Sequence, residues 1–149
     1  MMRYVRLAHE FVDYIPEVLE PGVLYVSMKY ATASHKCCCG CGLEVVTPFT
    51  PVDWKLIFDG EAVSLRPSIG NWSLPCRSHY VVENGRVIKA GPWSDEQVSA
   101  ERERDRRAKA RYYGVEPSSP KIEAASSDQS ALARPGGFWS SIKRWWAGG

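Results

Sequence analysis

A chain of 149 residues has room for one domain and an appendage, and a net charge of +2 is too small to argue for a nucleic-acid partner. No apolar run approaches the ~20 residues that cross a bilayer, and the charged stretch 1–11 lacks the apolar centre of a secretory signal. These features predict a cytoplasmic protein, and in a reducing compartment clustered cysteines are more often metal ligands or catalytic groups than disulfides.

Along the chain, residues 15–20 fit one short helical turn, with Pro16 at a tolerated early position. Residues 23–28 have strand composition and follow the turn signal Pro21-Gly22. Next comes His35-Lys36-Cys37-Cys38-Cys39-Gly40-Cys41-Gly42, which holds four of the five cysteines. Downstream, residues 54–58 and 61–65 flank Asp59-Gly60, and residues 80–83 and 86–89 flank Asn84-Gly85. Both dipeptides are two-residue hairpin signals, because their positions require positive φ. Between the hairpins, residues 67–72 (Pro-Ser-Ile-Gly-Asn-Trp) read as a turn-rich loop bracing the body.

From Ser94 the pattern changes. Ser94 and Gln97 form a capping-box pair, acids occupy the first turn, and strong helix formers continue to Tyr113 before Gly114. The apolar stripe of this helix is thin, so it is expected to lie on the body with a solvated face. Residues 114–137 are rich in Pro, Ser and Ala and read as a flexible linker. Residues 138–149 then place Phe138, Ile142, Trp145 and Trp146 at helical spacing, an aromatic tail expected to dock on a partner protein.

The cysteines define the expected site. Cys37 and Cys41 would stand roughly 13 Å apart in a straight strand, whereas two thiolates on one zinc lie only about 4 Å apart. The segment must therefore curl, and Gly40 and Gly42 supply the freedom to do so. Alternation puts Cys37, Cys39 and Cys41 on one side with Cys38 pointing away; a Cys38/Cys41 knuckle is the other possibility. Cys76 and His79 would complete the shell around Zn2+. The predicted fold class is α+β: a small, mainly antiparallel β body of hairpins around a zinc site (residues 1–113), closed by one helix (94–113), then a disordered tail.

Several motifs together resemble a bacterial domain-of-unknown-function family encoded beside ubiquitin-like modifiers and their activating and conjugating enzymes. They are His35-x-Cys37-x-Cys39-Gly40-Cys41-Gly42, Thr47-Pro48, Asp53-Trp54, Asp59-Gly60, Pro67-Ser68-Ile69-Gly70-Asn71-Trp72 and Cys76-Arg77-Ser78-His79-Tyr80. The resemblance covers residues 1–113, and Cys38 stands where other residue types occur in that family. It implies a role in maturing or removing a ubiquitin-like modifier, with that modifier and its conjugation enzymes as partners.

Two functional classes follow. In the first, the protein is a zinc-dependent peptidase that processes or deconjugates the modifier, with His35 or Glu44 as base for a metal-bound water. A metal-independent variant pairs Ser78 with His35, or Cys37 with His79, while Ser78 and His79 themselves point to opposite faces. In the second class the zinc only staples a non-catalytic interaction module of the same pathway, since thiolate-rich shells lower the Lewis acidity of the metal.

Overall fold

The computed structural model describes residues 2–114. Eight strands precede one helix: β1 (Ala8–Phe11), β2 (Val23–Ser27), β3 (Thr32–Lys36), β4 (Glu44–Pro48), β5 (Lys55–Phe58), β6 (Val63–Gly70), β7 (His79–Glu83), β8 (Arg86–Lys89) and α1 (Asp95–Tyr113). They form two four-stranded sheets in chain order, β1-β2-β3-β4 and β5-β6-β7-β8. Every pairing is antiparallel except β1 with β2. Single bridges, Arg6 to Arg86 and Phe49 to Trp54, tie the sheets at their margins. No helix among the described residues is long and apolar enough to cross a membrane.

The sheets share one core because their inward-facing residues are apolar on alternate positions. Leu24, Val26, Ala33 and Val45 of the first sheet pack with Val63, Leu65, Ile69, Tyr80, Val82 and Val87 of the second. Cys37 and Cys38 join the same cluster. Burying each large side chain here contributes roughly 1.5–3 kcal/mol.

The turns follow their residues. Asn84 and Gly85 both have positive φ (48° and 71°), as a tight two-residue hairpin requires. The first expected hairpin differs in detail. Phe58 pairs with Val63, so the connection is the four-residue loop 59–62, and the carboxylate of Asp59 accepts the N–H groups of Glu61 and Ala62. That capping by a side chain replaces the expected two-residue turn. Residues 67–70 extend β6 and are not a loop. Residues 15–20 form no helical turn; Pro21 disfavours helical geometry at Glu20, and Pro16 withholds a donor.

α1 opens with the capping box: Ser94 Oγ accepts from Gln97 N at 3.2 Å, and Gln97 Oε1 accepts from Ser94 N at 2.8 Å. Gly114 closes it in the left-handed region, φ 66°. Val98 is its buried residue, so polar links hold it to the β body. Lys109 reaches Asp53 at 2.9 Å, Arg77 reaches Asp95 at 2.8 Å, and Arg102 donates to Ser73 at 3.2 Å. The expected linker and aromatic tail, residues 114–137 and 138–149, lie outside the described residues apart from Gly114.

Candidate metal centre and serine–histidine cleft

The cysteine turn lies between β3 and β4. Cys37 N donates to Leu43 O at 2.8 Å, closing the loop, and Gly40 and Gly42 take positive φ of 92° and 80°. This curl brings Cys37, Cys39 and Cys41 to one side. Cys76 arrives from the connection between β6 and β7, and the four sulfurs lie within 4.8 Å of one another. Individual Sγ–Sγ distances are 3.4 Å for Cys37–Cys39, 3.8 Å for Cys37–Cys76 and 3.9 Å for Cys41–Cys76. A tetrahedron with metal–sulfur bonds of about 2.3 Å has edges of about 3.8 Å, so the four thiols fit one metal ion. Cys38 turns the other way into the apolar core, where burial pushes its thiol up to about 12. A Cys38/Cys41 knuckle is therefore excluded by the direction of the side chain.

Polar groups line the cluster. Ser78 Oγ lies 3.0 Å from Cys37 Sγ and accepts from Asn71 Nδ2 at 2.9 Å. Cys41 N–H points to Cys39 Sγ at 3.4 Å. Burial raises the Cys37 thiol. Burial also acts upward on Cys76, but hydrogen bonds from the Ser78 hydroxyl and backbone, and from Cys39 and Cys37, outweigh it and bring this thiol down to about 7. Cys76 is thus poised for deprotonation at neutral pH, whereas burial pushes the Cys39 thiol up to about 12, and a metal requires the thiolate of each.

His79 is not part of this cluster, in contrast to the expectation that it would ligate. Both its ring nitrogens are engaged on the opposite face of β7: Nδ1 with Gly91 O at 2.8 Å and Nε2 with Ser68 Oγ at 2.9 Å. Strand alternation is the cause, since Ser78 faces the thiols and His79 must face away. The other expected catalytic residues are also dispersed. His35 is fully buried, its Nε2 2.7 Å from Tyr80 Oη and its Nδ1 without a partner among the described residues, and burial holds its pKa down near 4. Glu44 is exposed on β4, paired across the ladder with Lys36. Ser78 meets Cys37, Cys76 and Asn71, not His35, and Cys37 does not meet His79.

The serine beside His79 is Ser68, in the segment 67–72 that is expected from the sequence to be a bracing loop. β6 and β7 pair with Gly70 opposite His79, so Ser68 is the diagonal neighbour on the same face. Gly70 presents no side chain between them. A Cβ at that position would lie 2.4 Å from Trp72 Nε1, so glycine is what lets the Trp72 indole settle over the strand. Trp72 and Trp93 stack at 5.5 Å, and each ring also lies against His79, at 5.0 and 5.1 Å. A carbonyl oxygen only accepts, so the bond to Gly91 O places the proton on Nδ1 of the neutral ring. Nε2 is then free to accept the Ser68 hydroxyl proton. The pair lines a cleft of about 520 Å³ whose walls include Asp53, Trp54 and Trp72 on one side and Val98 and Lys109 of α1 on the other. In the sequence Ser68 is one hydroxyl in a glycine- and tryptophan-punctuated segment; the pairing of Gly70 with His79 that brings it to the ring belongs to the sheet and not to the local sequence.

Fold and site define a class: a small two-sheet β protein in which a four-thiol metal-type cluster braces the connection between the two strands that carry a serine–imidazole pair. The chain belongs to the family described as bacterial ubiquitination-like system serine protease (BubE), whose model matches residues 11–90. That span contains all four clustered thiols, Ser68 and His79; Gly91, Trp93 and α1 lie beyond it. Among curated proteins and among solved structures, none matches the chain.

Proposed function

We propose that the protein is a serine peptidase that cleaves at a ubiquitin-like modifier, with Ser68 as nucleophile, His79 as base and the four-cysteine site holding a structural zinc. The observation that carries this reading is the 2.9 Å contact between Ser68 Oγ and His79 Nε2, with Nδ1 held by the Gly91 carbonyl. The description of the family as a serine protease of a ubiquitination-like system supports the substrate class.

The chemistry follows from the proton positions. Nε2 takes the Ser68 proton as Oγ attacks the scissile carbonyl, and the imidazolium then protonates the departing amine. Water repeats the cycle on the acyl ester, giving up its proton to Nε2 and releasing a carboxylate and free Ser68. Gly91 O does the orienting work that a carboxylate does in the usual triad. It fixes the tautomer and adds no full charge, so it stabilises the imidazolium less than a carboxylate would.

Zinc suits the soft, four-thiolate tetrahedron. When bound, it supplies no reacting group, because four protein sulfurs close its shell and leave no position for water. Its contribution is to fix the connection between β6 and β7. Cys76 sits in that connection, which Asn71 N→Ser78 O closes at 2.8 Å, with Ser68 three residues before it and His79 immediately after. A zinc-activated water with His35 or Glu44 as base is disfavoured, since one is sealed in the core and the other stands in solvent.

Cleavage of a modifier precursor tests the assignment. Ser68→Ala and His79→Gln are each expected to lose at least about a thousandfold in kcat/KM while keeping the wild-type circular dichroism and zinc content. Retained cleavage by Ser68→Ala would overturn it. Complete absence of cleavage by the wild type, with binding intact, would favour the zinc-stapled interaction module.

A further inference from the structure

β6 is twice as long as the strand beside it. β5 pairs with it only from Phe58–Val63 to Lys55–Arg66, after which the chain before β5 turns away to bridge Phe49 through Trp54. Residues 67–70 of β6 therefore continue with β7 on one side and no strand of the described residues on the other. Pro67, Ser68 and Gly70 border the cleft on that open side.

The direction of the main-chain groups can be read from the ladder. Asn71 N donates to Ser78 O at 2.8 Å, and Gly70 is opposite His79. In an antiparallel pair, hydrogen-bonded and non-hydrogen-bonded positions alternate. Gly70–His79 is thus the non-hydrogen-bonded position, and both the N–H and C=O of Gly70 point away from β7, toward the open edge. Neither has a partner among the described residues. They lie two residues from the nucleophile, in the cleft that contains it.

We propose that this edge is the substrate-docking surface, and that it takes an extended peptide segment as an added strand hydrogen-bonded to Gly70. The proposal rests on the Ser68–His79 reading for the bond that is cut, and it specifies how the substrate is held. An edge of four residues, walled by Trp54 and Trp72, fits a tail or an unfolded linker between two proteins. It does not fit a peptide bond inside a helix or a tight turn, whose own main-chain groups are already paired. Backbone pairing also makes recognition tolerant of side chains at alternate positions, leaving the tryptophans to restrict bulk next to His79.

Two measurements on the full chain test this. The first is amide exchange at Gly70 in Ser68→Ala, with and without a synthetic peptide of the six C-terminal residues of the cognate ubiquitin-like modifier. Saturating peptide is expected to slow Gly70 exchange at least about tenfold. The second uses the same peptide with single N-methyl groups walked along its amides. Binding is expected to weaken about tenfold at the one amide whose N–H meets Gly70 O and little at the amides on either side of it, because only alternate N–H groups face the edge. Unchanged Gly70 exchange, or an N-methyl series without that one sensitive amide, overturns the docking edge. So does a Gly70 amide already protected without peptide, which would place another segment of this chain there. Cleavage by Ser68→Ala would overturn the dyad alone, since protection and the N-methyl series are read without turnover.

Discussion

His35 and Cys38 are close in sequence to the thiol site, yet both belong to the core. His35 is sealed against Tyr80 with its pKa near 4, below the ordinary 6.5, because burial disfavours the imidazolium. Between those values the unfolded chain binds more protons than the folded one, so stability rises with pH across that window. The contribution is complete above about pH 6.5 and lost as pH falls toward 4, amounting to roughly 3 kcal/mol. His35→Gln is expected to flatten this slope in denaturation measured at pH 4.5 and pH 7, and an unchanged slope would assign the acid sensitivity elsewhere. Cys38 gives a cleaner contrast. Cys38→Ala should keep one zinc per chain and cost on the order of 1 kcal/mol as a small cavity, whereas Cys41→Ala should weaken zinc retention against a chelator by at least tenfold. Equal loss of zinc in the two variants would contradict the ligand assignment.

At the scale of the element, the segment between β8 and α1 orients the imidazole of His79, the proposed base. Gly91 O accepts from His79 Nδ1, and Trp93 covers the ring, so the approach to α1 sets the angle of the imidazole. Trp93→Ala is expected to lower kcat about tenfold with little change in KM and a thermal midpoint near wild type; an effect confined to KM would mean that Trp93 contacts substrate instead. The sequence made part of this geometry legible. The Ser94–Gln97 cap, the Asn84-Gly85 hairpin and the glycine-driven curl of residues 37–42 are local events, dictated within a few residues, and each was readable. The opposite faces of Ser78 and His79 were readable for the same reason. What joins Ser68 to His79 is pairing across β6 and β7, with a register shift between Leu65 and Ile69. That shift is set by tertiary packing, and no local pattern around Ser68 announces it. Cys76 and His79 stand together as a second cluster of soft ligands, which is the ground for expecting both at the metal; on β7 the ring of His79 takes the other face.

At the scale of the molecule, the two sheets of the described residues share one core and meet at the thiol cluster: Cys37, Cys39 and Cys41 leave the sheet of β3 and β4, and Cys76 leaves that of β6 and β7. A metal held by these thiols would tie the sheets together, so its removal is expected to loosen both the contact between sheets and the hairpin that carries the proposed dyad. A strong chelator is expected to lower Tm by on the order of 10 °C or more, since structural zinc contributes several kcal/mol to folding. Refilling with cobalt(II) should restore the fold and give the absorption of a tetrahedral thiolate site, with activity returning in step with the fold. Activity that differs markedly between zinc and cobalt at equal Tm would point to a metal that takes part in the reaction. The most direct test of the serine assignment is chemical. Intact-mass analysis and peptide mapping after treatment with a fluorophosphonate should find one adduct, on Ser68, that forms at least a hundredfold more slowly in His79→Gln. An adduct on Ser78, or labelling of Ser68 that is indifferent to His79, would contradict it.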